Sequence, residues 1–260
     1  MDSELSDTIW ISDKRKRILS LLLTGPKTSN EIKQEFGCSW RPLISPMKKL
    51  KEEGLVVQND DDHVYRLSYI GKALTENMIP LIKIVDLFES DYHYWKSRDF
   101  DSIPLNLLTR MGEIGDCEML DPALDRIFEL DEEFVNELCN CQHINAMLPF
   151  FHPEYINLFS RLASNGTKLN LIFKDCVLNR LEEEYTDKFE PIKQSEDSNI
   201  FVNTSKRQVP GIVVSEKAFL LSLFDKNGNY DHKDVVGYDQ RSIRWGKDLF
   251  SHFISNSSKV

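Results

Sequence analysis

Cys139 and Cys141, one residue apart and followed by His143, are the residue types that bind metals or form redox disulfides. A structural zinc site needs two-residue spacing or a second ligand pair, and the remaining cysteines, Cys38, Cys117 and Cys176, are scattered. No metal and no cofactor are therefore expected. A disulfide across a single residue would be strained, so buried thiols are the default and a thiol-based redox sensor is only a competing reading. A different kind of chemistry sits earlier, where Ser39, Trp40, Arg41, Ser45, Lys48 and Lys49 combine hydroxyls, an aromatic ring and cations within eleven residues. Arg41 is the best single base reader among them, because a guanidinium pairs in bidentate fashion with a guanine edge. Trp40 either stacks on a base or contacts a thymine methyl, or it packs against the second helix.

These side chains need elements to position them. Ser12 caps a helix carrying Ile18, Leu19, Leu22 and Leu23, and Gly25-Pro26 stops it. Thr28 or Ser29 caps a short second helix with Ile32 and Phe36, which Gly37 closes. A third helix from about Trp40 to Glu53 turns Leu43, Met47 and Leu50 inward, although Pro46 within it removes a backbone hydrogen bond. Leu55 to Val57 and Val64 to Leu67, joined by the polar turn Asn59 to Asp62, make a hairpin. Three helices and a hairpin predict a winged helix-turn-helix. Its third helix would enter the major groove, with His63 and Arg66 on the wing, where the acidic tip Asp60-Asp61-Asp62 is a poor phosphate partner.

Ile70 to Asp91 reads as a long helix with the apolar stripe Leu74, Met78, Leu81, Ile82, Val85 and Phe88, and with a bend at Pro80. Such a stripe packs inside its own chain or forms a dimer seam. After a winged helix the seam is favoured, since paired winged helices read paired half-sites. From Asp116 onward short apolar runs alternate with amphipathic helices. Strands are predicted at 117–120, 144–148, 168–173, 199–202, 211–214, 219–224 and 235–237, and helices at 131–140, 153–165, 176–185 and 240–255. The early alternation predicts a largely parallel sheet with helices on its faces, and the later strands predict hairpins.

The chain of 260 residues holds 42 acidic against 32 basic side chains, a formal charge of -10. Ser12 to Lys72 nevertheless carries +4, leaving -14 on the remainder. A small basic unit is thus joined to a large acidic one, and only the basic one is suited to phosphates. The apolar runs fall short of the roughly 20 residues that cross a bilayer, and the acidic start lacks the layout of a secretory signal. The expected location is the cytoplasm, with reduced thiols.

The winged-helix pattern, the segment Ile103-Pro104-Leu105-Asn106-Leu107-Leu108 with Ile114-Gly115, and the stretch Leu221-Ser222-Leu223-Phe224-Asp225-Lys226-Asn227-Gly228-Asn229-Tyr230-Asp231 carry a resemblance. Together with Trp245-Gly246-Lys247-Asp248-Leu249-Phe250 they resemble, over most of the chain, the methanogenesis-regulatory transcription factors of methanogenic archaea. The resemblance implies a C-terminal domain similar to half of a phospholipase-D-type fold, as in the effector domain of the sugar-responsive TrmB regulators. Phosphodiesterases of that fold need H-x-K-x-x-x-x-D, with histidine attacking phosphorus and lysine holding charged oxygens. If the hairpin begins at Gly211, those places fall near Gln208, Pro210 and Ser215, which can do neither job.

The fold class so predicted is an α+β multidomain chain. Residues 1–70 form a winged helix-turn-helix, 71–115 a helical linker with the dimerisation helix, and 116–260 an α/β phospholipase-D-like half-domain that senses an effector. The function expected is a homodimeric regulator that binds double-stranded DNA and does no catalysis. The competing readings are a DNA-associated phosphodiesterase or nuclease, and the redox sensor. An effector pocket is expected outside the carboxyl ends of the parallel strands, at Phe150, Phe151, His152, Lys174, Asp175, Arg207 and Gln208, for a small polar or anionic molecule. Lys174 and Asp175 could equally be a surface ion pair, and Trp245 and Phe250 read as core.

Overall fold

The computed structural model describes residues 4–59 and 63–260, a mixed α/β chain that divides into two compact units, Met1–Ile82 and Lys83–Val260. The acidic tip Asp60-Asp61-Asp62 lies outside the described residues.

The first unit holds α1 (Glu4–Trp10), α2 (Asp13–Leu23), α3 (Ser29–Phe36), α4 (Arg41–Glu52), β1 (Val56–Gln58), β2 (Tyr65–Leu67) and the first part of α5 (Tyr69–Ser90). Local chemistry sets the boundaries. The Ser12 hydroxyl accepts from the amide of Arg15. Thr28 and Glu31 form a reciprocal capping box, and Gly37 ends α3 in the left-handed conformation. The helix α4 runs through Pro46 and forgoes one backbone bond rather than breaking. Strands β1 and β2 pair antiparallel, with Val56 opposite Leu67 and Gln58 opposite Tyr65. Ile18, Leu19, Leu22, Ile32, Leu43, Met47, Leu50 and Leu55 close the core. At Gly71 α5 passes so close to β1's approach that a Cβ would lie 2.0 Å from the Leu55 carbonyl oxygen.

The stripe of α5 is shared out between the two units. Met78 is buried in the first unit's core, with Leu74 and Ile82 packed against it, whereas Leu87 and Phe88 belong to the second unit's core. Leu81 and Val85 remain exposed.

The second unit continues with α6 (Tyr92–Ser97), α7 (Leu105–Leu108), a 3-10 turn (Met111–Glu113), β3 (Glu118–Leu120), α8 (Glu132–Cys139), β4 (His143–Leu148), α9 (Pro153–Ser164) and β5 (Lys168–Lys174). Next come α10 (Asp175–Glu184), α11 (Thr186–Gln194), β6 (Ser198–Asn203), β7 (Gly211–Val214), β8 (Phe219–Ser222), β9 (Asp234–Gly237), α12 (Gln240–Ile254) and β10 (Ser258–Lys259). The eight strands form one sheet in the order β10-β6-β5-β4-β7-β8-β9-β3. Only β4, β5 and β6 run parallel to one another; the other pairings are antiparallel. The sheet is therefore mixed rather than largely parallel. Its reversal has a simple cause. The link from β6 to β7 is too short for a crossover helix, which takes a dozen or more residues, so β7 must run back along β4.

Helices cover both faces. Residues of α8, α9, α10 and α11 build one apolar layer with Ile144, Leu171 and Phe173. Residues of α12, α6 and α7, with Ile114, build the other layer with Ile212, Phe219 and Leu221. Among the described residues no helix is long and apolar enough to cross a membrane.

Candidate functional site

Two places concentrate candidate functional side chains, one in each unit. In the first, α4 turns Leu43, Met47 and Leu50 into the core, so its opposite side must face outward. Arg41, Ile44, Ser45 and Lys48 recur at helical spacing on that side and are all exposed. Ser39 precedes them in the exposed turn. Ile44 is the residue that reading the sequence missed. It is 51% exposed in a position where an apolar side chain costs solvation, and its spacing from Arg41 and Lys48 was the available signal.

Trp40 takes the packing alternative, since its ring lies 5.6 Å from that of Tyr65 and against the core. Lys48 and Lys49 reach back to Glu52 and Glu53 at 3.6 and 2.7 Å. The first of these pairs is exposed and worth little, and the second is half-buried. His63 is exposed with φ of 53°, and Arg66 lies half-buried on β2.

In the second unit the seven residues expected around a pocket disperse. Phe150 stacks on Tyr230 at 4.3 Å. Phe151 lies 4.6 Å from Tyr185 and under the guanidinium of Arg180. Lys174 does not pair with Asp175; its ammonium donates to the carbonyls of Ser205 and Arg207, which tethers the loop after β6. Asp175 is the exposed first residue of α10, and Arg207 is exposed. Gln208 donates to the carbonyl of Gly228 at 3.3 Å. Ser215 accepts from the amides of Lys217 and Ala218 in the β7–β8 turn.

Only His152 reaches a cavity, of about 560 Å³, whose walls also include Leu120, Arg126, Leu130, Phe134, Tyr155, Tyr230, His232 and Asp234. Its position follows from β3, β8 and β9, which bring Leu120, Leu220 and Asp234 together, and from the segment 121–131 that passes over them. His152 is 7% exposed and its Nδ1 has no hydrogen-bond partner. Leaving such an atom unpaired costs about 1–3 kcal/mol. Burial pushes its pKa below the usual imidazole range, so the ring is neutral.

Asp234 accepts from the Tyr230 hydroxyl at 2.8 Å. Burial raises its pKa to about 6, against hydrogen bonds from Ser222 and Tyr230 that favour the charged form. Burial likewise raises Tyr230. The backbone of His232 is left-handed, with φ of 62°, and its ring lies 4.9 Å from that of Tyr230. The wall 225–234 is held by its own turn and by one distant side chain. The Asp225 carboxylate accepts from the amides of Asn227 and Asn229, and Asp231 pairs with buried Arg98.

Cys139, Cys141 and His143 do not converge. The Cys141 thiol donates to the Glu137 carbonyl, burial pushes its pKa up, and His143 turns to Glu216 at 2.8 Å. A thiol held protonated is a poor nucleophile.

The model of the methanogenesis regulatory protein FilR1 middle domain matches residues 127–256, half of the chain. The methanogenesis regulatory protein FilR1 of Methanothrix harundinacea (strain 6Ac) is 21% identical over 263 residues, an alignment that takes in 96% of this chain and 56% of that protein. The chain thus spans about half the length of that relative. Among solved structures, TrmBL2, described as an archaeal chromatin protein with a novel mode of DNA binding, is similar with a TM-score of 0.43. It is 14% identical, over 96% of this chain and 94% of its own. Quinone-bound YodB from B. subtilis is similar with a TM-score of 0.30 and 23% identity, over 33% of this chain and 96% of its own.

Proposed function

Because the chain belongs to the family of the FilR1 middle domain, we propose that it is a transcription regulator of a methanogenic archaeon. It works in the cytoplasm, binds double-stranded DNA through its first unit and carries a non-catalytic sensor as its second. The observation that carries this reading is the exposed face of α4, where Arg41, Ile44, Ser45 and Lys48 stand on one side of a helix held rigidly by Leu43, Met47 and Leu50. With α2, α3 and the β1–β2 hairpin this makes a winged helix-turn-helix whose α4 enters the major groove. Arg41 would read a guanine edge, Ile44 a thymine methyl, and Ser39, Ser45, Lys48 and Lys49 the remaining base edges and phosphates, with His63 and Arg66 on the wing.

Replacing Arg41 by alanine is expected to weaken operator binding by about 1–3 kcal/mol and to relax sequence preference at one base pair while the fold is kept. Fluorescence anisotropy against operator and scrambled duplexes checks this. Equal losses on both duplexes would reduce Arg41 to a phosphate contact.

The residues 71–115 link the two functions, and 116–260 form the sensing domain, read as a phospholipase-D-like half-domain. Gln208, Pro210 and Ser215 in the places of its nucleophile, cation and acid support loss of hydrolysis. A homodimer is proposed through α5, where the exposed Leu81 and Val85 lie four residues apart on one face. Changing both to aspartate is expected to give a monomer with an unchanged circular dichroism spectrum. Sedimentation velocity decides, and a dimer that survives the double change moves the contact elsewhere.

A further inference from the structure

DNA binding makes no use of the cavity in the second unit, and its walls are chemically one-sided. Five carboxyl side chains line it, from Asp121, Glu129, Asp131, Glu132 and Asp234, against the single guanidinium of Arg126 among the described lining residues. That guanidinium is already held by Glu129 at 2.6 Å. Asp121 is matched by Lys233 at 2.6 Å, and Asp131 accepts from the Phe134 amide at the start of α8. The charge that remains is negative, and a cleft of one sign concentrates the opposite charge.

A second observation points the same way. The imidazole of His152 is more than nine-tenths buried, lines the cavity, and leaves Nδ1 without a partner. In the tautomer that leaves Nδ1 unprotonated, such a buried nitrogen is matched by a donor that arrives with a ligand. His152 lies 5.3 Å from the ring of Tyr155, and the Tyr230 hydroxyl is bonded to Asp234, so aromatic side chains adjoin both groups. Leu120, Ile127, Leu130, Phe134 and Leu220 supply an apolar floor.

We infer that this cavity binds a small organic cation, a primary amine on an apolar or aromatic body. The ammonium donates to His152 Nδ1 and is neutralised by Asp234, and the body lies on the leucine and phenylalanine floor. An anion of the same shape meets an excess of carboxylates, and the Arg126 guanidinium is already held by Glu129. A neutral alcohol satisfies His152 but leaves Asp234 without a countercharge. This deepens the sensor reading of the second unit and replaces the expectation of an anionic effector.

The test uses the full chain and three probes that share one body, phenethylamine, 2-phenylethanol and phenylacetate, in isothermal titration calorimetry. Saturable binding of the amine is expected, with the alcohol at least about tenfold weaker and phenylacetate weaker still. Asp234→Asn is expected to lower amine affinity at least about tenfold and to erase its advantage over the alcohol. Ala123→Trp, at an exposed lining position, narrows the mouth and is expected to weaken the amine without touching the charged groups, which keeps the test intact if the Asn variant fails to fold. Three results overturn the inference: phenylacetate binding as tightly as the amine, amine binding unchanged in both variants, or no saturable amine binding up to about 10 mM. The assay contains no DNA, so its failure is distinct from a failure of the DNA-binding reading, which the Arg41 measurement judges alone.

Discussion

Replacing Asp231 by alanine is expected to destabilise the second unit by about 3 kcal/mol, since removing one partner of a buried ion pair strands the other charge. The stranded group is Arg98, 3% exposed, whose guanidinium bonds both oxygens of Asp231 and the carbonyl of Leu223. It also lies 4.0 Å from the centre of the Tyr94 ring. Asp231 itself is 40% exposed, which places the loss at the low end of the range for fully buried pairs. Arg98→Met is expected to cost less, because it removes the charge together with the need to pair it. In a double-mutant cycle read by urea denaturation, the pair Arg98→Met and Asp231→Ala should be more stable than Asp231→Ala alone. A loss below about 0.5 kcal/mol for Asp231→Ala would show that water already satisfies Arg98.

The same pair explains what the motif Phe224 to Asp231 is for. The backbone around Arg98 bonds to this loop, with Asp99 donating to the Phe224 carbonyl and Lys226 to that of Ser97. The loop in turn carries Tyr230, His232 and Asp234 into the cavity wall. Stability and ligand site are therefore linked, and Asp231→Ala should loosen the cavity without touching its lining.

What the sequence makes legible follows from how local the cause is. Helices α2 and α3 announce themselves because Ser12, Thr28, Glu31 and Gly37 act within four residues of the ends they fix. The strands β4, β5, β7 and β8 are short apolar runs bounded by polar residues, and their positions match the pattern. The helix α1 gives no such signal, being seven residues with no basic residue in its last turn, and it is held by Ile9 in the core. In α11, Pro191 argues locally against a helix that Phe189 and Ile192 nonetheless anchor. The two-residue β10 is exposed and pairs with β6 by backbone alone.

The α4 face was readable because its residues share one helix, whereas the cavity was not. Its walls come from His152, Tyr230 and Asp234, which only the sheet order brings together, and from the segment 121–131, which has no periodicity to read. Strand ends point to His152, which lines the cavity, and equally to Lys174 and Gln208, which bond loop carbonyls away from it.

Trp245→Ala is expected to have the largest effect of any single change, a loss of about 3–5 kcal/mol. The indole is fully buried, meets the ring of Phe219 edge-on at 5.8 Å, and donates from Nε1 to the Leu107 carbonyl at 3.0 Å. Truncation opens a cavity between α12 and β8 and removes one of the bonds that carbonyl accepts, the amide of Arg110 still donating to it at 3.0 Å. Trp245→Phe keeps most of the packing and loses the bond, so it should cost about 1–2 kcal/mol and separate the two contributions. The neighbouring Gly246 tests the same contact in the opposite sense. A Cβ there would lie 2.2 Å from Phe219 Cδ2, and Phe219 has nowhere to go, being fully buried in β8, an interior strand of the sheet. Gly246→Ala should therefore destabilise by about 1–3 kcal/mol through overpacking, despite alanine's better helix propensity. Thermal denaturation of the three variants checks the order, with Trp245→Ala lowest. If Gly246→Ala instead stabilises the chain, α12 sits further from the sheet than these distances state, and the fit of Trp245 against Phe219 is not what holds the helix.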